Sequence, residues 1–284
     1  MNFSDHHVYI TVKDYSVSGE EFELLLDKEL QLLKTHPQPA PEQLGRYYES
    51  EDYISHTDSK RTLFEKLYHI VKQKALRDKV KLIQKFHPSK GILLDIGAGT
   101  GDFLVEAKRN NWVVTGIEPN EKARGIAESK GISFKDSVKD VADGSVDVVT
   151  MWHVLEHVPN LEEHIKQLKR IIKPDGVIVI AVPNYKSYDA KKYGKYWAAY
   201  DVPRHLWHFS KTSIQKLFET EGIGLVKILP MKFDSFYVSL LSEKYKTGKI
   251  NFIRGFLSGL RSNIRASKNF EYSSHIYLLK QVKK

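Results

Sequence analysis

Cysteine is absent from the chain. Disulfides, thiolate nucleophiles and thiolate metal sites are therefore excluded. No apolar run approaches the ~20 residues of a membrane span, and the N-terminus lacks a charged-then-apolar signal pattern. The expectation is a soluble, cytoplasmic protein. No internal repeat or low-complexity tract interrupts the 284 residues, a length that suits one large α/β domain with an appendage, or two domains. Negative charge is scarce in one place. The net charge is +9, and Leu241 to Lys284 alone holds ten Lys and Arg against two Glu. The rest is close to neutral, so the basic character belongs to the C-terminal stretch.

What is present from Ile92 onward is an alternation of apolar runs and amphipathic stretches. Strands are expected at Ile92–Ile96, Trp112–Glu118, Ile132–Phe134, Val146–His153, Val177–Val182 and Leu225–Pro230. Helices are expected between them, at Asp102–Asn110, Asn120–Ser129, Leu161–Ile172 and Lys211–Glu221. Asn120, Asn160 and Ser210 stand where N-caps belong, and Gly131 and Gly222 follow helix ends. This order implies a mostly parallel sheet with helices on both faces, an α/β Rossmann-like fold that binds ligands at the carboxyl ends of its strands. Before it, residues 1–60 read as a small domain or lid of short strands and turns, punctuated by Pro37, Pro39 and Pro41. A long helix follows from Leu63 to Phe86, with Leu63, Leu67, Ile70 and Val71 on one face and Leu82, Ile83 and Phe86 on another; Pro88 stops it.

The stretch "ILLDIGAGTGDFL" is a strand, a glycine-rich turn and a helix start. A glycine missing from it separates two ligand templates. The dinucleotide pattern G-x-G-x-x-G, begun at Gly97, requires glycine at position 102, where Asp stands. The pattern present is Asp95-x-Gly97-x-Gly99-x-Gly101. A pyrophosphate beside Asp95 and Asp102 would meet like charge, whereas a cationic amino-acid moiety would not. Glu118 ends the next strand, 23 residues after Asp95, where an acid accepts hydrogen bonds from ribose hydroxyls. Together these features select a nucleoside with a positive or zwitterionic tail.

"LLDIGAGTGDFL", "GIEPN", "VDVVTMWHVLEHVPN" and "IKPDGVIVIAVPN" occur in that order, and the chain resembles class I S-adenosylmethionine-dependent methyltransferases, in particular their quinone-methyltransferase-like sub-group. The resemblance runs from about Phe86 to Gly222 and returns at "SSHIYLLK". It implies a seven-stranded sheet and S-adenosylmethionine as the cofactor. It places Gly97, Ala98, Gly99, Thr100 and Gly101 in the turn beneath the methionine moiety, with Asp95 orienting the turn and the ammonium. Glu118 would bind the ribose, with Pro119 beside the adenine. Asp136, Ser137 or Val138 would meet the adenine amino group, and Trp152 and His153 would line the cofactor near its sulfonium.

His153, Glu156 and His157 also fit the H-x-x-E-H pattern of some zinc peptidases, but that site needs a helix, and here the pattern follows a strand. Some quinone methyltransferases hold a divalent metal at these relative positions, with an acid where this chain has His153. The reading adopted is that no metal is bound, and that His153, His157 and His205 are the catalytic candidates. His205 lies in "KYWAAYDVPRHLWHFS", a loop with two Trp, two Tyr and two His; it forms either an acceptor pocket or a cluster folded on its own aromatics. "PRHLWHFS" recurs in the sub-group that the chain resembles. Many relatives carry zinc-binding Cys pairs near their N-termini, which this chain lacks. "YYESEDYISHT", Tyr47 to Thr57, is a candidate flap over the cofactor.

Methyl transfer to a small-molecule acceptor is the function implied. DNA C5 methylation needs the absent cysteine, and the Asn/Asp-Pro-Pro-aromatic motif of base amino-group methylation is missing as well. The alternatives are an RNA methyltransferase and a non-catalytic cofactor-binding regulator. The last segment to place is a helical insertion at about 236–268. In "KINFIRGFLSGLRSNIRASK", Ile253, Phe256, Leu257, Leu260 and Ile264 share a helix face, and Arg254, Arg261 and Arg265 line another. Gly255 and Gly259 weaken an isolated helix by about 1 kcal/mol each, so the segment is expected to pack, as a lid on the acceptor site. Membrane-surface and nucleic-acid binding are the readings not favoured.

Overall fold

The structure, a computed structural model, describes residues 7–48 and 63–282. All but two residues of the expected Tyr47–Thr57 flap lie outside them. Among the described residues, eleven strands form two sheets. The first sheet joins β1 (Val8–Lys13), β2 (Glu21–Asp27), β3 (Leu32–His36) and the two-residue β9 (Trp207–His208), in that order and all antiparallel. Its fourth strand thus comes from the "PRHLWHFS" loop, more than 170 residues downstream of β3.

The second sheet holds β4 (Ile92–Ile96), β5 (Val113–Ile117), β6 (Ser133–Lys135), β7 (Val146–Trp152), β8 (Ile172–Pro183), β10 (Ile223–Pro230) and β11 (Ser274–Gln281). Its order is β10-β11-β8-β7-β4-β5-β6, parallel from β8 to β6 and antiparallel on either side of β11. β8 begins at Ile172, earlier than its apolar run suggested, because Ile172 already pairs with Val146 ahead of the Lys-Pro-Asp-Gly turn. The chain reverses order at β4 and β7, so the carboxyl ends of those two strands form the crevice where open α/β sheets take ligands.

Helices α1 (Leu63–Phe86), α2 (Asp102–Arg109) and α3 (Glu121–Ser129) cover one face. Leu76, Val80 and Ile83 of α1 pack with Phe103, Leu104 and Ala127 over β4, β7 and β8. Helices α4 (Leu161–Ile171) and α6 (Lys211–Glu219) cover the other face through residues such as Leu161, Ile165, Leu168, Ile214 and Phe218. Their starts are set by the caps read from sequence: the side chains of Asn120, Asn160 and Ser210 accept from Ala123, Glu163 and Ser213 N–H groups. A short α5 (Tyr188–Tyr193) precedes the aromatic loop. The insertion is a hairpin of two helices, α7 (Asp234–Thr247) and α8 (Phe252–Asn269). No helix among the described residues is long and apolar enough to cross a membrane.

A third core lies between the N-terminal sheet and the aromatic loop. Trp197, Tyr200, Tyr193 and Tyr185 are buried there against Val12, Phe22, Leu24 and Leu33. The loop's aromatics are therefore structural, and their candidacy as an acceptor pocket gives way to the packing that the N-terminal strands need. Polar ties cross the same junction. Arg204, 5% exposed, donates to the Tyr47 carbonyl (2.7 Å), pairs with Asp14 (3.0 Å) and Asp201 (2.7 Å), and contacts Ser16 Oγ. Burial pushes the Asp14 carboxyl upward, but the Ser18 N–H and the Arg204 guanidinium outweigh it and hold the group at about 2.

Removing the guanidinium would leave two carboxylates without their cation. Arg204→Leu is expected to lower stability by about 3–5 kcal/mol in equilibrium urea unfolding. The stabilisation from Asp14 is present above its unfolded value of 3.8 and is lost as pH falls toward about 2. That acid limb should shrink in Arg204→Leu.

Candidate active site

The site begins with the glycine turn after β4. Gly97 and Ala98 N–H groups donate to the Ile117 carbonyl (2.8 and 3.1 Å), which anchors the turn to β5. Gly97 has φ +73°, and a Cβ there would lie 2.3 Å from Val154, so the turn can pass beneath the loop after β7 only with glycine. Gly99 has φ +53° and nothing within 4 Å of a built Cβ. Its open side is a cradle for a ligand. The Gly99 N–H donates to Glu118 Oε2 (2.8 Å), and Asn120 N–H donates to Oε1 (2.9 Å). Glu118 thus braces the turn while keeping lone pairs free for hydroxyl donors.

Asp95 is buried beneath the turn and accepts from Thr150 Oγ1 on β7 (2.6 Å). Burial pushes its carboxyl up to about 7, against the pull of Thr150 and Lys79. Thr100 donates to Asp102 (3.3 Å), and Lys72 and Lys130 both pair with Asp102 at 2.7 Å. Asp102 is therefore already neutralised and Asp95 holds its proton up to about 7, so the case against a pyrophosphate rests on the glycine missing from position 102. Gly101 is the N-cap of α2.

The expected adenine side lies at the β5 and β6 ends. Pro119 is exposed there. The Asp136 carboxylate is exposed and paired with Arg124 (2.7 Å). Ser137 spends its hydroxyl on capping the turn Val138–Asp140, accepting from the Lys139 N–H (2.9 Å), and Val138 is buried. At the β7 end, Trp152 stands between Phe103 (centroids 5.7 Å) and Lys79, whose Nζ lies 4.2 Å over its ring.

His153 follows with φ +59°. Its Nδ1 lies 3.3 Å from Glu156 Oε1 and its Nε2 3.0 Å from Asp234 Oδ2. Burial disfavours its charge, but the two carboxylates prevail and push it up to about 10. His153 is thus an imidazolium at neutral pH and cannot accept a proton. Asp234, the first residue of α7, carries no local sequence signal for this role; it arrives from the insertion.

His157 and His205 meet edge to face, with centroids 4.6 Å apart. His157 Nδ1 lies 2.9 Å from the Arg204 carbonyl and 3.2 Å from the Tyr48 hydroxyl, and His205 Nδ1 lies 2.9 Å from the Ala199 carbonyl. A carbonyl only accepts, so both Nδ1 atoms carry protons, which leaves Nε2 as the ligand atom of each ring; that of His205 lies 3.9 Å from Asp201 Oδ2. Burial and the neighbouring His205 push His157 down to about 4, keeping it neutral. Glu156 is 1% exposed, and its Oε2 has no hydrogen-bond partner. Ligand atoms of Glu156, His157 and His205 all lie within 4.8 Å of one another. Two imidazoles with carbonyl-fixed tautomers and an unsatisfied carboxylate oxygen are a donor set that fits a divalent cation. The sequence reading that no metal is bound did not bring His205 to this pair. "PRHLWHFS" gave no distance to "HVLEH", which only the pairing of β3 with β9 sets.

A profile described as a methyltransferase domain matches residues 68–228. The chain belongs to the class I S-adenosylmethionine-dependent methyltransferases. It is 31% identical over 135 residues to a ubiquinone biosynthesis O-methyltransferase of Actinobacillus pleuropneumoniae, covering 42% of this chain and 58% of that protein. The corresponding protein of Dechloromonas aromatica is 27% identical over 169 residues, covering 55% and 72%. Among solved structures, the magnesium protoporphyrin IX methyltransferase of Synechocystis with bound S-adenosylhomocysteine superposes with a TM-score of 0.55 at 14% identity, covering 84% of this chain and 99% of that one. The geranyl diphosphate C-methyltransferase of Streptomyces coelicolor gives 0.55 at 13% identity, covering 79% and 88%. At these identities the two structures show the shared fold. The matched residues end before the α7–α8 hairpin of this methyltransferase.

Gly99→Ala meets no neighbouring atom and costs only about 1–2 kcal/mol for a left-handed φ, so it should leave the fold intact by circular dichroism, yet weaken S-adenosylhomocysteine binding at least about tenfold in calorimetry by filling the cradle. Asp95 holds its proton in the folded protein up to about 7, while the unfolded chain loses it near 3.8. The folded state then binds the extra proton, so this group's contribution to stability falls as pH rises from about 4 to about 7. The stability of Asp95→Asn relative to the parent should therefore increase between pH 4 and pH 8 in urea titrations.

Proposed function

We propose that the protein transfers the methyl group of S-adenosylmethionine to a small-molecule acceptor, releasing S-adenosylhomocysteine. The observation that carries this reading is the open glycine cradle at Gly99, braced by Glu118 on one side and ending beside the β7 terminus where the histidines gather. In this reading Gly97 to Gly101 seat the methionine moiety, Asp95 orients it, Glu118 holds the ribose, and Asp136 to Val138 border the adenine.

The sulfonium is an activated electrophile, and the transfer is an in-line displacement. The protein's work is to hold the acceptor about 3 Å from the methyl carbon and to keep water out. His153, Asp234 and Glu156 form an ion-paired clamp that fixes the loop after β7. His157 offers a neutral Nε2 lone pair, so a proton from an acceptor hydroxyl passes to this atom or to Glu156, with His205 packed against the same ring. A divalent cation on Glu156, His157 and His205 would supply Lewis acidity to an acceptor oxygen.

Purified protein given labelled donor and a metabolite extract is expected to label a small molecule, separable from RNA and protein. Glu118→Ala should weaken S-adenosylhomocysteine binding by about 1–3 kcal/mol. His157→Ala should lower turnover far more than cofactor affinity, and so should a chelator if a metal serves the site. Binding of NAD with no binding of S-adenosylhomocysteine would overturn the reading. Cofactor binding without labelling of any small molecule would favour the regulatory alternative, and labelled RNA the nucleic-acid one.

A further inference from the structure

The expected inward face of α8 points outward. Phe252, Ile253, Phe256, Leu257, Leu260 and Ile264 are 39–73% exposed. The buried face is made instead of Gly255, Ser258, Gly259, Ser262 and Ala266. The reason is a close helix contact. A Cβ on Gly255 would lie 2.9 Å from the Leu240 Cα, and one on Gly259 2.8 Å from the Phe236 Cα, so α7 occupies the space that larger side chains would need. Polar bonds secure the small-residue face: Ser235 Oγ donates to the Gly259 carbonyl (3.2 Å) and Ser262 Oγ to the buried Asp189 (2.6 Å). The hairpin is firmly seated, and the sequence expectation of an apolar lid is corrected. The large apolar side chains are left exposed, Phe256 while stacking one ring face on Phe236 (centroids 5.1 Å), and Phe233, at the N-cap of α7, is 68% exposed as well.

We propose that the outer face of the α7–α8 hairpin docks on an anionic lipid bilayer. Two features select this occupant. The apolar side chains recur at i, i+3, i+4 along an 18-residue helix, which suits insertion at the boundary of headgroups and acyl chains. Charge is the second. From Lys246 to Lys268 the chain carries six Lys and Arg and no acid. On α8, Arg254, Arg261 and Lys268 are exposed along one flank of the apolar stripe, and Arg265 joins them while resting on the Tyr188 ring (4.6 Å). A second copy of this surface would bring like charges together. A nucleic acid would satisfy the cations but leave the aliphatic tips in water. Anionic headgroups over an acyl layer satisfy both. The docked hairpin is continuous with the site, because α7 begins at Asp234, the partner of His153.

Docking does not depend on the methyl-transfer reading, and its test is separate. Full-length protein is sedimented at physiological salt with vesicles of phosphatidylcholine alone or mixed with phosphatidylglycerol. Binding is expected to the mixed vesicles and not to phosphatidylcholine alone. Ile253→Asn with Phe256→Asn, both outward-facing, should reduce binding at least about tenfold, with S-adenosylhomocysteine affinity unchanged as the check on folding. Arg254→Gln with Arg261→Gln should reduce it about tenfold and flatten its salt dependence. No binding to mixed vesicles, or equal binding to both kinds, overturns the proposal. So does self-association in the absence of lipid that Phe256→Asn abolishes, or an RNA gel shift that needs the same arginines while vesicles are ignored. Loss of cofactor binding in the parent protein would strike the methyl-transfer reading and leave the vesicle result standing.

Discussion

One buried guanidinium connects the parts of this molecule. Arg204 receives Asp14 from the N-terminal sheet, Asp201 from its own loop and the Tyr47 carbonyl from the segment after β3. Its own carbonyl accepts from His157. A cation so enclosed is tolerable only with its charge and donors satisfied, and the partners that satisfy it come from three distant stretches of chain. Where Arg204 sits, the N-terminal strands, the aromatic loop and the loop after β7 must sit together. His205 is the next residue, so the same junction sets its imidazole against His157.

Around this junction the site is arranged as a balance of charges. His153 is charged because Asp234 and Glu156 hydrogen-bond it; at His157, whose bonded partner is a carbonyl, burial and the neighbouring His205 outweigh the pull of Glu156 and Asp201, and the ring is neutral. Two histidines four residues apart therefore have opposite protonation states, decided by whether carboxylates or a carbonyl bond the ring. Glu156 is shared. One oxygen serves His153, and the other faces His157 and His205 without a partner. An acceptor or a cation bound there would complete the set, at the side of the crevice nearest the N-terminal sheet.

The Rossmann-like sheet was legible in the chain order because its signals are local. Strand β4, the glycine turn and α2 are consecutive, so ligand approach and backbone conformation are written in one stretch, and Asn120, Asn160 and Ser210 cap helices that start one residue later. The aromatic loop was not legible in the same way. Trp197 and Tyr200 look alike in sequence whether they line a pocket or fill a core, and the N-terminal strands they cover lie more than 150 residues away.

What the sequence determined by itself is the geometry of the half proposed to hold the cofactor: Asp95, the three glycines and Glu118 occupy one strand-turn-helix-strand unit that follows from residue type and spacing. What only the tertiary structure decided is the cluster proposed to face the acceptor, where Glu156 and His157 from the loop after β7, His205 from the aromatic loop and Asp234 from the insertion meet through long-range pairing of β3 with β9 and the return of the insertion onto the sheet. The insertion shows why. Its periodicity located the apolar face of α8 correctly, but periodicity says which residues share a face and not which way that face turns. The direction was settled by Gly255 and Gly259, whose missing side chains let α7 pack closer than any apolar contact could, and so turned the apolar face outward.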